Sequence, residues 1–261
     1  MKVATFNING IKARLPRLLE WLEEFQPDVA CLQEIKSMDD TFPRMEIEAL
    51  GYRLETHGQK AFNGVAILSK EPMTDIVRGL PNMTTGPEGG PEQARYMEAT
   101  INTVRIACLY LPNGNPQPGP KFDYKLEWMD ALIDRANTLL RSESPVVLTG
   151  DYNIIPKDID CYDPKRWVDD ALTQPEARQR YQTILNLGYT DALRQITPEG
   201  PLYTYWDYQA GAWSKDHGIR IDHFLLSPQA ADMLGDANVD RQPRGKEKAS
   251  DHTPVWITLA V

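Results

Sequence analysis

The sequence predicts a mixed α/β domain in which two β-sheets pack face to face. Three observations lead there. Short apolar runs bounded by turn residues recur along the chain, as buried strands do. A few longer segments carry their apolar residues at helical spacing instead. No linker or internal repeat divides the 261 residues, and their 41% hydrophobic content is enough for a substantial core. The chain is therefore read as one domain, residues 1–261, with many strands and few helices.

Lys2 to Phe6 reads as the first strand, ending in the loop Asn7-Ile8-Asn9-Gly10. Leu15, Leu18, Leu19, Leu22 and Phe25 then recur at helical spacing, with Pro16 expected in the first turn and Pro27 closing the helix. Val29-Ala30-Cys31-Leu32 reads as a buried strand, and Gly64 to Leu68, Met97 to Ile101 and Arg105 to Leu111 as further strands. Pro81 to Pro91, rich in Gly and Pro, is expected to be a long exposed loop. Lys121 to Leu140 carries a helical stripe through Phe122, Leu126, Met129, Ile133 and Leu140. Val146-Val147-Leu148 is a short strand running into Gly150-Asp151. Glu176 to Leu187 reads as a helix stopped by Gly188, and Ile221 to Leu226 and Val255 to Leu259 read as the last strands.

Composition limits the function. No apolar run reaches membrane-spanning length, and the N-terminal segment lacks the features of a signal peptide, so a cytoplasmic protein without a membrane role is expected. The cysteines Cys31, Cys108 and Cys161 are odd in number and lack paired spacing, which argues against a disulfide framework and a Cys-rich zinc site. The net charge of −9 weighs against nucleic acid, whose phosphates are bound mainly by neutralisation. Carboxylates gathered around a cation would soften that objection. So would local basic groups at Lys12, Arg14 and Arg17, at Lys121 and Lys125, and at Arg241, Arg244, Lys246 and Lys248.

The chemistry lies at strand ends. Asn7 with Asn9, Gln33-Glu34, Tyr110 with Asn113, Asp151 with Asn153, and Asp251-His252 each follow or flank an apolar run. Asp222 joins them from inside Arg220-Ile221-Asp222-His223-Phe224, where an acid needs a partner. Taken singly, an Asp-Asn pair is a turn and Glu34 a surface carboxylate. Together on one rim they suit phosphodiester hydrolysis. Glu34 offers a hard oxygen for Mg2+. His252, held and kept charged by Asp222 or Asp251, faces the phosphorus oxygens. Asp151 orients or deprotonates water, and Asn7 and Asn153 fix ligands without adding charge.

Phe6-Asn7-Ile8-Asn9-Gly10, Leu32-Gln33-Glu34-Ile35-Lys36, Leu111-Pro112-Asn113-Gly114, Gly150-Asp151-Tyr152-Asn153-Ile154, Arg220-Ile221-Asp222 and Ser250-Asp251-His252 occur in the order seen in exonuclease III-type enzymes. The chain thus resembles that group of abasic-site (AP) endonucleases, within the endonuclease/exonuclease/phosphatase superfamily, from first strand to last. The resemblance implies a four-layered α/β sandwich, DNase I-like, with two mixed sheets flanked by helices. It implies Glu34 as principal metal ligand with Asn7 and Asp251 nearby. Asp222 and His252 become an orienting pair, Asp151 the acid/base residue beside Asn153, and Tyr110 a phosphate-side donor. It also puts Lys36, Asn113, Lys121, Lys125, Trp206, Trp213 and Arg220 on the DNA side.

The implied enzyme uses Mg2+, with Mn2+ able to substitute. It acts as a monomer on duplex DNA, cutting 5′ to abasic sites and trimming or dephosphorylating 3′ ends. Tyr203-Thr204-Tyr205-Trp206 through Trp213-Ser214-Lys215 resembles the loop that walls the abasic pocket and enters DNA, where an aromatic wall accepts a baseless sugar but clashes with an intact nucleotide. Some relatives carry an aromatic residue where Ile219 stands. Two rival readings remain. One is a superfamily phosphatase acting on inositol phosphates, lipid headgroups or small nucleotides, disfavoured by the DNA-facing residues above. The other is an inactive DNA-binding relative, disfavoured because Glu34, Asp151, Asp222 and His252 are all present.

Overall fold

Apolar runs buried on both faces become interior strands, and less apolar ones are left for the edges. The computed structural model describes residues 1–261. In chain order the elements are β1 (Lys2–Asn7), α1 (Ile11–Phe25), β2 (Val29–Gln33), α2 (Arg44–Glu48), β3 (Arg53–His57), β4 (Val65–Ser69), β5 (Met73–Arg78), β6 (Tyr96–Ile101) and β7 (Val104–Tyr110). There follow α3 (Pro120–Leu140), β8 (Val146–Asp151), α4 (Pro175–Asn186), β9 (Thr190–Asp191), α5 (Ala192–Ile196), β10 (Asp222–Leu226), α6 (Pro228–Asp232), β11 (Leu234–Val239) and β12 (Val255–Leu259).

Two six-stranded sheets result, ordered β11-β12-β1-β2-β4-β3 and β5-β6-β7-β8-β10-β9. Each has one parallel pair at its centre, β1 with β2 and β7 with β8, and its other pairs are antiparallel. A parallel pair needs a crossover, and α1 and α3 supply the two. Alternation along the strands sorts residues into layers. Val3, Val29, Cys31, Cys108, Val147 and Phe224 fill the space between the sheets. Phe6, Leu32 and Leu68 meet Leu18, Trp21 and Leu22 of α1 on one outer face. Leu109 and Leu148 meet Trp128, Met129 and Leu132 of α3 on the other. The expected four-layered α/β sandwich is found.

Some expectations need correction. Pro16 lies inside α1, beyond its first turn, because the helix already begins at Ile11. It deprives the Lys12 carbonyl of a helical partner, at a turn whose side chains face water. The buried face of α3 is rotated from the expected stripe. It runs through Phe122, Lys125, Trp128, Leu132, Ala136 and Leu139, while Leu126 and Ile133 are only partly covered. The segment from Pro81 to Pro91 is mostly exposed, as expected, but holds a 3-10 turn at Pro87–Gly89 and a bridge between Thr85 and Pro91.

Two backbone features bear on the site. Gly150 has φ +148°, and a Cβ there would lie 1.8 Å from the Leu109 carbonyl oxygen. No other residue lets β8 pass β7 and deliver Asp151 to the rim. At the opposite pole, the Met1 ammonium donates to the Leu259 carbonyl at 2.6 Å, so the first and last strands also bring the chain ends together.

Candidate active site

Parallel strands end at a common rim, so side chains just past β1, β2, β7 and β8 converge although distant in sequence. Register sharpens this. Tyr110, Asp151 and Asp222 are direct neighbours across β7, β8 and β10, and therefore share one face. Asn7 and Gln33 end β1 and β2 in the facing sheet, and a bridge between Tyr205 and His252 adds the loops before β10 and β12. Between them lies a cleft of about 310 Å3 lined by Glu34, Tyr110, Asp151, Asn153, Asp251 and His252 on its polar side. Tyr205, Ile219, Ile221, Leu172 and Trp167 form its apolar side.

A slightly larger hollow, about 350 Å3, lies over Trp21, Phe25 and Trp256 on the outer face of the first sheet. Its charged groups are already spoken for. Lys246 pairs with Glu20 and Glu24, and Asp240 accepts from the Trp21 indole. The reactive constellation belongs to the cleft.

The polar side is a connected network. Asn7 Nδ2 donates to Glu34 Oε1 at 3.0 Å and to Asp151 Oδ2 at 2.9 Å, spacing two carboxylates that would repel. Tyr110 donates its hydroxyl to Glu34 Oε1 at 2.8 Å, and Lys36 Nζ lies 2.9 Å from Glu34 Oε2. Lys36 also donates to Asn9 Oδ1 at 2.6 Å, and Asn9 donates to Asp251 Oδ1 at 3.0 Å. His252 Nδ1 donates to Asp222 Oδ2 at 2.9 Å, while its Nε2 faces Asp151 Oδ2 across 3.8 Å. Thr204 donates to the same Asp222 oxygen at 2.6 Å, and Ser250 ties this loop to the Asn7 carbonyl at 2.7 Å. Asn153 is fixed by donation to the Leu111 carbonyl and by a bond from Asn113.

Electrostatics divides the acids. Burial pushes the Glu34 carboxyl up, but the Asn7 hydrogen bond and the Lys36 ammonium outweigh it and hold the group below the usual carboxylate range. Asp151, fully enclosed, is pushed up to about 7 by burial, with Asp222 and Glu34 adding to it and His252 opposing. Burial alone would discharge His252, yet the Asp222 carboxylate raises it to about 10, so the ring is a cation at neutral pH.

The carboxylates of Glu34, Asp151 and Asp251, with no thiolate among them, suit a hard divalent cation. One ligand atom each from Glu34, Asp151 and His252 falls within 4.8 Å of the others. A protonated imidazole has no lone pair to give, and a carboxyl pushed up to about 7 gives its own less readily than one held low, so Glu34 is the fitting donor of the three.

Several residues expected at DNA are elsewhere. Lys125 is fully buried on α3, donating to the carbonyls of Asn113 at 3.0 Å and Asn153 at 2.6 Å, and so cannot contact a phosphate. Arg220 is buried between Asp160 and Asp191. Trp206 is fully buried against Trp213, and Arg241 lies over both rings. Asn7, expected as a metal ligand, gives its amide nitrogen to the two carboxylates and accepts the Asn9 amide on an oxygen that keeps a second lone pair. Lys36 and Asn113 reach the site, and Lys121 is exposed in the first turn of α3. Sequence reading placed Thr204 only in the aromatic loop, without its bond to Asp222, and passed over Trp167. An isolated Trp in a polar loop, and a Thr beside an expected pocket aromatic, were the available signals.

Comparison with known proteins agrees with this fold. Residues 4–252 match the model of the endonuclease/exonuclease/phosphatase family. The chain is 34% identical to exodeoxyribonuclease III of Haemophilus influenzae over 268 residues, 98% of each chain. Among solved structures, the 3′ phosphatase NExo from Neisseria, bound to a product DNA hairpin, superposes with a TM-score of 0.95 at 39% identity over 100% of both chains. An AP endonuclease from Archaeoglobus fulgidus gives 0.94 at 34% identity, again over 100% of both.

Proposed function

Because this chain belongs to the endonuclease/exonuclease/phosphatase family and is a hydrolytic nuclease, we propose that it is a Mg2+-dependent DNA repair enzyme cutting 5′ to abasic sites. On the same reading it acts as a cytoplasmic monomer, also trims 3′ ends as an exonuclease and phosphatase, and accepts Mn2+. The observation that carries this is the Asp222–His252–Asp151 line, opening on a cleft with an acidic side and an apolar side. An abasic sugar is small enough to rest on Tyr205, Ile219 and Ile221. The similarity to an AP endonuclease and a 3′ phosphatase supports the two kinds of substrate.

Each step follows from the residues. Glu34 and Asp251 are the carboxylates to hold the cation, which when bound supplies positive charge at the scissile phosphate. His252, charged and oriented by Asp222, binds a phosphate oxygen and stabilises the charge that builds there during attack. Asp151, at about 7, takes a proton from the attacking water and afterwards releases it to solvent, from which the departing 3′ oxygen takes its own. Tyr110 and Asn153 hold their neighbours in place, and Asn113 and Lys36 meet the strand at the rim.

The test is a duplex carrying one abasic analogue at a known internal position, incubated with Mg2+ or with excess chelator. Metal-dependent incision immediately 5′ to the analogue, leaving a 3′ hydroxyl, is expected. An intact strand alongside turnover of small phosphate esters would overturn the assignment.

A further inference from the structure

A second hollow, about 240 Å3, adjoins the cleft, and Trp167, Tyr205 and Ile219 line both. Its far side is built differently from the cleft. Tyr162 and His217 stack with ring centroids 4.4 Å apart and planes within 5°. Arg166 donates to the Tyr162 hydroxyl at 3.1 Å and lines the same hollow. Both stacked rings are half-buried, so they present aromatic surface without being sealed in the core. Its one carboxylate is the exposed Asp207, and none of Glu34, Asp151, Asp222 and Asp251 lines it.

We propose that this hollow is a nucleobase subsite for the nucleotide on the 3′ side of the scissile phosphate. The inference rests on the reading above and deepens it. When the sugar of that nucleotide lies against Tyr205 and Ile219, an attached base extends past the shared wall and meets the Tyr162–His217 pair. Base–aromatic stacking tolerates any sequence, because every base has a π-face. An abasic sugar or a terminal 3′ phosphate has no base to place there and leaves the hollow unused. The subsite therefore separates removal of intact 3′ nucleotides from incision at baseless sites, and Trp167, Tyr205 and Ile219 form the sill between the two.

The experiment compares two substrates on each variant: a duplex with an intact recessed 3′ end, and one with an internal abasic analogue. For His217→Ala, kcat/KM on the intact end is expected to fall about tenfold or more relative to that on the abasic duplex, as loss of one stacking partner predicts. His217→Phe, which keeps a flat ring, is expected to restore the ratio. Equal losses on both substrates would show that the stack only braces its loops, and an unchanged ratio would show that no base enters; either overturns the proposal. A duplex with 2-aminopurine at the 3′ terminal position, titrated with protein in chelator, reads the hollow without cleavage. Quenching by the wild type that is lost in His217→Ala is expected, and equal quenching by both overturns the subsite. If the wild type cut neither substrate, the parent reading would fall, while this titration would still report on the hollow.

Discussion

The two central crossovers, β1-α1-β2 and β7-α3-β8, are the same device built twice, and they deliver different chemistry. The sheet orders correspond strand for strand, so the end of β1 matches the end of β7, and the end of β2 that of β8. The first crossover ends in Asn7 and Gln33-Glu34, the second in Tyr110 and Asp151. Glu34 keeps contact with solvent and with Lys36, and its carboxyl is held low. Asp151 is sealed beside Asp222 and Glu34, and its carboxyl is driven up to about 7. One scaffold thus yields one acid that stays charged and one that can exchange a proton. What separates them is desolvation and neighbouring charge.

The largest expected effect tests that division. Asp151→Asn should lower the single-turnover rate on an abasic duplex by about a thousandfold or more, with no recovery on raising Mg2+ and a melting temperature no lower than the wild type's, because the buried charge it removes opposes folding. His252→Ala should lose a similar amount. Glu34→Gln should lose less and regain part of its rate as Mg2+ is raised, because its defect is in holding the cation. If Asp151→Asn were the variant restored by metal, the two crossovers would have to exchange roles.

The pH profile sharpens the same point. A base at about 7 and a required cation at about 10 predict a rate that climbs through neutrality and falls on the alkaline side, with both limbs belonging to the coupled pair. Burial lowers His252 and Asp222 raises it, so Asp222→Asn should draw the alkaline limb toward lower pH. An alkaline limb that stays put in this variant would remove Asp222 from the role of holding the proton on the ring.

Smaller effects separate the helices. Lys125→Met leaves two loop carbonyls without their donor and should cost about 1–3 kcal/mol in denaturant unfolding. Burial lowers the Lys125 ammonium from its ordinary 10.5 to about 7 in the fold. Between those values the unfolded chain holds a proton that the native chain lacks, so this residue's contribution to stability rises with pH across the window. The stability gap between wild type and Lys125→Met should accordingly widen as pH is raised. Lys121→Ala, one turn earlier and exposed, should leave stability alone. It should weaken DNA binding evenly across sequences and flatten the salt dependence by about one unit.

The interior of both sheets was legible because strands buried on both faces leave unbroken apolar runs, as in Val29-Ala30-Cys31-Leu32 and Val146-Val147-Leu148. The strands passed over, β3, β5, β9 and β11, are the four sheet edges. Arg53–His57 and Leu234–Val239 are half-exposed and carry polar residues that resemble loop. At the site, the strand-end clusters were legible because unpaired acids and amides beside buried apolar runs are costly unless they serve one another. Lys125 misled because lysines are usually solvated, although its spacing from Phe122 and Trp128 already put it on the inward face of α3. Trp206 and Trp213 looked alike in sequence, and only packing makes the first a buried wall and the second its half-exposed cover.

The meeting of Met1 with Leu259 has a consequence for how the polypeptide can be rewired. The ends lie at the pole away from Asn7 and His252, on strands already hydrogen-bonded to each other. A short peptide could join them, and the chain could be reopened in the exposed segment between Pro81 and Pro91 without cutting any interior strand. Such a circular permutant would keep every catalytic neighbour while reversing which crossover is synthesised first, making the order of assembly of the two halves an experimental variable.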